Sequence, residues 1–289
     1  MVSNSERCTR FLICPVCEAQ LAQVGATLKC PQAHSFDIAR EGYVNLLLSS
    51  GKRPKIVGDT KEMLRARRDF LARGFYGPLS DALNERIHNH LAGDVSSACI
   101  ADVGCGEGYY IGRLKRHLGS RPGFDHLCYF GLDVSKEAAR LAAKRYQDIC
   151  FIVASVNRKL LFSGGSVRVL TNVFAPRNVV EFDRVLAQDG VLLIVIPNPR
   201  HLASLRSRLD LLSIEPDKRD KVIEQFAGPF RLAGEHTVER EMGLEGDALL
   251  ALVQMTPNYW HISSEALDGV KDMGPVQTEA SFTILEFRR

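Results

Sequence analysis

The sequence predicts an α/β protein: a mostly parallel, helix-covered sheet preceded by a small metal-binding unit. Three observations lead there. Five short apolar runs alternate with helical periods after residue 98, a glycine-rich turn follows the first run, and cysteines are paired at metal-ligand spacing near the start. Buried strands between helices read as continuous apolar runs because both faces of a parallel sheet are covered. The 289 residues, 45% apolar and 25% charged, have ordinary globular composition and are enough for about two domains. Disordered, collagen-like and coiled-coil readings are excluded. No run approaches about 18 uninterrupted apolar residues, and residues 1–14 lack the apolar core of a secretory signal. A cytoplasmic protein that enters no membrane is therefore expected.

The N-terminal unit, residues 1–48, holds Cys14-Pro-Val-Cys17, then twelve residues, then Cys30-Pro-Gln-Ala-His34. A two-residue gap lets both thiolates of one knuckle face a single ion, and the second pair completes a tetrahedron suited to zinc. All four positions are filled by protein, so one structural zinc per chain is expected. Metal binding would supply folding energy that a unit of about 40 residues cannot obtain from its core. Cys8 is a competing thiol. Cys99, Cys105, Cys128 and Cys150 lie in or beside apolar runs, where free cysteine acts as a small core residue. Disulfides are the weaker reading.

Residues 49–93 read as a linker followed by a basic helical segment. The net charge of +3 is unevenly placed: residues 52–73 carry eight Lys/Arg against three Asp/Glu. Such a run suits a polyanion, although most charge runs are solvated faces. A helix is expected to open at Asp59, with Glu62 as its capping-box partner. Arg65, Arg68 and Arg73 lie largely off its apolar face, which Met63, Arg67 and Phe70 mark. These four arginines, Arg65, Arg67, Arg68 and Arg73, are the candidate polyanion-binding residues. A second helix is expected over about 78–91.

Residues 94–289 carry the sheet. Strands are expected within 98–104, 126–134, 150–155, 167–175 and 191–197, and two more over about 231–239 and 281–288. Helices are expected over about 135–146, 177–187 and 245–254. The first strand runs into Ala101-Asp102-Val103-Gly104-Cys105-Gly106-Glu107-Gly108. Glycines there allow a sharp turn and close approach of a ligand. The spacing is GxGxG rather than the dinucleotide GxGxxG. Asp102 ends the first strand, and Asp133 ends the next, where it can accept from both hydroxyls of a ribose. An acid at the first turn suits a cationic amino group better than a pyrophosphate. S-adenosylmethionine is thus favoured over NAD, with a ligand-free glycine turn as the remaining alternative.

Taken together, the paired cysteines, FDIAREGYVNLL (residues 36–47), GDTKEMLRARRDFLARGFYGPL (58–79), DVGCGEGYY (102–110) and FGLDVSKEAARLAAKRY (130–146) resemble the bacterial 23S rRNA guanine-N1 methyltransferases. The likeness continues through NVFAP, NPRHL and LLALVQMTPNYW, so it covers nearly the whole chain. It implies a seven-stranded, Rossmann-like class I methyltransferase sheet. It also implies methylation of a guanine in hairpin 35 of 23S rRNA and a homodimer that forms an RNA-binding cleft. The family has a housekeeping branch and a macrolide-resistance branch that modify neighbouring guanines, 745 and 748. Residues 172–178 and Trp260-His261 resemble the resistance branch and DVGCGEGYY the other; the balance favours the 748 type.

The resemblance also places Tyr76, Gly106, Glu107 and His201 at the cofactor. With Asp102, Gly104, Asp133 and Ser155 they form the expected cofactor set. The base must be extruded for N1 to be reached. Asn172, Phe174 and His201 are the catalytic candidates: Asn172 to orient the base, Phe174 to stack on it, and His201, with Glu107 as the alternative, for proton transfer. Arg168 stands where the family has an acid, and Leu160-Leu161-Phe162 replaces its Leu-Pro-Phe. Three other classes compete: a small-molecule methyltransferase, a zinc-dependent RNA-binding protein without catalysis, and a dinucleotide oxidoreductase.

Overall fold

The computed structural model describes residues 7–48, 59–91, 98–209, 211–256, 259, 267, 269–270 and 273–289. The 49–58 linker and the Trp260-His261 pair lie outside them. The chain begins with a turn of 3-10 helix, Thr9–Phe11, and a three-stranded antiparallel ribbon of β1 (Ala22–Val24), β2 (Thr27–Lys29) and β3 (Ser35–Asp37). β4 (Tyr43–Asn45) then leaves the ribbon. Two helices follow, α1 (Lys61–Ala72) and α2 (Gly77–His90). The true cap of α1 is Thr60, whose hydroxyl accepts from the Met63 amide at 3.2 Å, rather than the expected Asp59. Asp59 instead pairs with Arg67.

The sheet proper alternates strands and helices. β5 (Cys99–Val103), α3 (Tyr109–Gly119), β6 (Cys128–Asp133), α4 (Lys136–Arg145), β7 (Cys150–Val153), β8 (Val167–Val173), α5 (Val179–Val185) and β9 (Leu186–Pro197) come first. α6 (Ala203–Leu209), α7 (Lys218–Phe226), β10 (Arg231–Leu244), α8 (Gly246–Gln254) and β11 (Val276–Arg288) complete it. The strand order is β10-β11-β9-β8-β5-β6-β7-β4, with β11 antiparallel to both its neighbours and every other pair parallel. All seven expected strands are present, and β4 adds an eighth. The last two are longer than the sequence suggested, because their outer halves pair with each other beyond the reach of β9.

Burial explains the layers. Alternate residues of β5 point to opposite cores: Ile100 packs beneath α1, α2, α3 and α8, whereas Cys99 and Ala101 pack against the ribbon, α5 and α7. The ribbon shares the second core through Leu12, Leu21, Leu28 and Val44, which meet Phe130 and Phe162. Ile13 N–H donates to the Leu161 carbonyl at 3.0 Å, and Leu46 N–H to that of Val153 at 3.1 Å. Cys8 and Cys128 form a disulfide across 120 residues. This corrects the expectation of Cys128 as a free core thiol, since the Cys8 turn packs directly on β6. Cys99 and Cys105 are buried and form no disulfide, and Cys150 is half-buried in β7. Arg168 pairs with Asp189 of the adjoining strand, and Leu160, Leu161 and Phe162 are buried.

The winding reverses between β5 and β8, because β5 has its successor β6 on one side and β8 on the other. In open α/β sheets ligands bind in the crevice beyond the carboxyl ends of the strands at such a switch point. The functional pocket is sought there.

Candidate metal centre and candidate active site

Cys14, Cys17, Cys30 and His34 converge, with all four ligand atoms within 4.8 Å of one another. His34 Nδ1 lies 3.3 Å from Cys30 Sγ and 3.6 Å from Cys14 Sγ, and Cys17 Sγ lies 3.6 Å from Cys30 Sγ. Thiolates bound to one zinc at about 2.3 Å in a tetrahedron sit roughly 3.8 Å apart, so this donor set fits a single zinc ion. Two non-glycine residues in left-handed conformation shape the knuckles, Glu18 at φ 62° and Ala33 at φ 64°.

At the switch point lies a cavity of about 900 Å³, open to solvent. Its floor is the glycine turn after β5. Gly104 has φ 82°, and a Cβ there would sit 2.3 Å from Ala175 Cβ, so the turn after β8 closes against it only because the side chain is missing. Asp102 and Glu107 line this end. Asp102 is fully buried; Oδ1 accepts from Thr171 Oγ1 at 2.8 Å, and Oδ2 has no partner among the described residues. Burial, with nearby Asp133, pushes its carboxyl up to about 7 despite the Thr171 bond. Glu107 pairs with Arg145 at 3.2 Å, while its buried Oε1 is unpartnered. Burial again raises this carboxyl above its ordinary value. Two carboxylates that line one cavity, each with a buried oxygen left unpartnered, suit a cationic ligand.

Asp133 is placed differently. Its carboxylate accepts from Gly106 N–H at 2.9 Å and Ser135 N–H at 2.8 Å, and it braces the turn from behind the cavity wall. Ser155 follows β7 and likewise does not line the cavity. Gly106 does, and Arg67 reaches over it: Nη1 lies 3.5 Å from where a Gly106 Cβ would be. Arg67 also donates to the Met255 carbonyl at 3.0 Å and pairs with Asp59. Of the four candidate arginines, Arg67 alone lines the cavity. Arg65 and Arg73 are exposed, and half-buried Arg68 contacts Asp69 at 3.3 Å.

The opposite wall is aromatic. Tyr76 is buried, with its hydroxyl 3.3 Å from His201 Nε2 and its ring 4.9 Å from Phe282. Ser281 N–H donates to His201 Nδ1 at 3.2 Å, so the neutral ring carries its proton on Nε2 and donates to Tyr76. Burial, aided by Arg206, holds His201 down to about 3. Asn172 is buried below the surface. Its amide nitrogen donates to the Val103 and Pro176 carbonyls at 3.1 and 2.9 Å, tying the turn after β8 to β5. Phe174, at φ 53°, is 45% exposed on the cavity wall, 5.2 Å from the Phe282 ring. Leu202, also on the wall, has φ 56°. Non-glycine residues in this region are uncommon and cluster at ligand sites.

Sequence reasoning missed Asp59, Tyr110, Arg177, Arg206 and Lys218, all on the cavity. Tyr110 follows the glycine turn directly and has a buried hydroxyl without a partner, so its motif position could have found it. The three cations come from separate elements and leave no local signature.

Parallel strands in this order, a glycine turn flanked by orphaned acids and an antiparallel β11 define a class I methyltransferase. Residues 12–55 match the zinc-ribbon family described as RlmA, N-terminal. The chain is 37% identical over 259 residues to the 23S rRNA (guanine(748)-N(1))-methyltransferase of Streptomyces fradiae, covering 89% of each chain. It is 39% identical over 265 residues to a protein of Micromonospora griseorubida provisionally named a 23S rRNA (guanine-N(1)-)-methyltransferase, covering 86% of this chain and 87% of that one. Among solved structures, a TehB-like SAM-dependent methyltransferase from Corynebacterium glutamicum is 15% identical, with a TM-score of 0.44 over 78% of this chain and 95% of that chain. The chain belongs to the 23S rRNA (guanine-N1)-methyltransferase family.

Proposed function

We propose that this protein transfers a methyl group from S-adenosylmethionine to N1 of a guanine in hairpin 35 of 23S rRNA, at the 748-type position. The observation that carries the proposal is the cavity in which unpartnered Asp102 and Glu107 oxygens meet an exposed aromatic wall. When bound, the cofactor supplies a methyl group already activated on a sulfonium. The protein's part is then mainly positioning. Asp102 is suited to the cofactor's ammonium group, Arg67 to its carboxylate, and Asp133 to fixing the Gly106 turn beneath it. Phe174 offers a face on which an extruded guanine can stack. His201, neutral and engaged at both ring nitrogens, orients Tyr76 and is a poor proton acceptor near neutral pH.

In this reading residues 1–48 help recognise the hairpin, residues 49–93 supply the basic helix, and residues 94–289 carry the chemistry. Exposed Arg65 and Arg73, with half-buried Arg68 between them, are suited to RNA phosphates. A homodimer would build the longer cleft that a folded hairpin requires. No helix among the described residues is long and apolar enough to cross a membrane, in keeping with a cytoplasmic enzyme acting on ribosomal RNA; a macrolide-resistance role would follow from the 748 position.

Incubation of the protein with S-adenosylmethionine and a hairpin 35 transcript, followed by primer extension, tests the proposal. N1-methylguanine blocks the Watson–Crick edge, so a new stop is expected beside the 748-type guanine. A stop only at the neighbouring guanine would move the assignment to the housekeeping position, and no stop would refute RNA methylation.

A further inference from the structure

The cavity carries a second electrostatic feature. Beyond the acidic glycine turn it is lined by Arg177, Arg206 and Lys218. Arg177 follows the turn after β8, Arg206 lies in α6, and Lys218 begins α7. No carboxylate lies within ion-pair distance of any of the three among the described residues. The acids near Lys218 in sequence are engaged by other cations: Glu215 and Asp217 by Lys221, at 2.8 and 3.2 Å, and Asp220 by Arg219, at 2.5 Å. Arg177 Nε donates to Gln225 Oε1 at 3.2 Å, near the opposite end of α7 from Lys218. Arg206 has a buried Nε with no partner. Half-burial lowers the pKa of Lys218, with Arg177 as a second cause, and burial also lowers that of Arg177. Like charges held together out of water are unfavourable unless an anion joins them.

The cofactor's carboxylate is a poor account of that anion. It is attached to the same carbon as the ammonium group, so it must lie close to whatever holds the ammonium. The acidic end has its own cation, Arg67, over Gly106. Arg177 and Lys218 line the same cavity from other segments, Arg177 three residues beyond exposed Phe174 and Lys218 at the start of α7. Resting on the RNA methyltransferase reading above, we infer that Arg177 and Lys218, with Arg206 beside them, form a receptor for the backbone phosphates flanking the guanosine that enters the cavity. An extruded nucleotide carries its 5′ and 3′ phosphates to the mouth of the pocket. Two half-buried cations on the cavity wall and the exposed aromatic face of Phe174 match the charge and shape of such a guest.

The test uses the full-length protein, a hairpin 35 oligonucleotide, and the same oligonucleotide with uncharged methylphosphonate linkages on either side of the target guanine. Arg177→Gln/Lys218→Gln is expected to weaken binding of the natural oligonucleotide at least tenfold and to flatten its log–log salt dependence by about 1.4–1.8 for two lost contacts. S-adenosylmethionine affinity, measured by calorimetry, is expected to stay within twofold. The methylphosphonate oligonucleotide should bind the wild type as weakly as the natural one binds the variant, with no further loss when both changes are combined. Additive losses, or an unchanged variant, would overturn the receptor while leaving wild-type methylation intact. A loss of cofactor affinity in a folded variant would assign these cations to the cofactor and likewise overturn it. If the double variant does not fold, Lys218→Gln and the methylphosphonate series on the wild type decide the matter. Failure of the wild type to methylate the oligonucleotide would refute the underlying reading and the receptor with it.

Discussion

The zinc ribbon and the cavity are assembled over very different lengths of chain. The four ligands of the ribbon fall within residues 14–34, and the hydrogen bonds that shape its two knuckles close over a few residues, as between Cys30 N–H and the His34 carbonyl. The cavity gathers Asp59, Asp102, Phe174, His201, Met255 and Phe282 from six separate segments. A local site is held by its metal. A distributed site is held by the sheet and by close packing at the switch point. Loss of one ribbon ligand should therefore disable the ribbon, whereas each cavity residue should affect a separable part of binding.

The largest effect is expected from Cys17→Ser. Structural zinc contributes on the order of 10 kcal/mol to the folding of small metal units, so zinc content should fall from about one per chain to near zero. Amide protection should vanish across the ribbon. Retention of full zinc occupancy would remove Cys17 from the site. Gly104→Val should come next. It places a β-branched side chain at φ 82° and drives Cβ into Ala175, costing about 3 kcal/mol or more by combined strain and overpacking. The expected outcome is a lower melting temperature with loss of S-adenosylmethionine binding. A stable variant that binds normally would show that the two turns can part freely.

A smaller effect would sharpen the contrast between Arg67 and its neighbours. Replacing Arg65, Arg68 and Arg73 by Gln should weaken RNA binding and flatten its salt dependence by about 0.7–0.9 per lost contact, without touching cofactor affinity. Arg67→Gln should do the reverse, because Arg67 faces Gly106 and Asp59. If all four behave alike, α1 is a uniform basic face and Arg67 has no separate place at the cofactor.

The same contrast in length explains what the sequence disclosed. The zinc ligands and the GxGxG turn are contiguous patterns, and Ser135 caps α4 where expected, with its hydroxyl accepting from the Ala138 amide at 3.2 Å. The strands themselves followed from alternating apolar runs, but their order in the sheet did not. β4 was not legible as a strand of the main sheet, because its pairing with β7 joins residues 43–45 to 151–153 and leaves no periodic trace. The Cys8–Cys128 pair was hidden for the same reason. Asp133 was rightly placed at the end of β6, but its oxygens are turned to backbone amides rather than to the cavity. The basic wall of Arg177, Arg206 and Lys218 could not be read, since three isolated cations on three elements look like ordinary surface until the sheet brings them together.

The central claim is that the acidic end of the cavity receives the cationic cofactor, and Asp102 tests it most directly. Its carboxyl stands at about 7 in the free protein because it is buried, so an incoming ammonium group must be met by the ionised form. Cofactor binding should therefore expel a proton from Asp102 below that value, and affinity should climb as pH rises from 6 to 8 before levelling. The measurement is the calorimetric affinity for S-adenosylmethionine across this range in the wild type and in Asp102→Asn. The account predicts a steeper rise in the wild type than in the variant, with the variant at least tenfold weaker at pH 8. Equal affinities and parallel pH profiles would contradict it and move the cofactor away from the glycine turn.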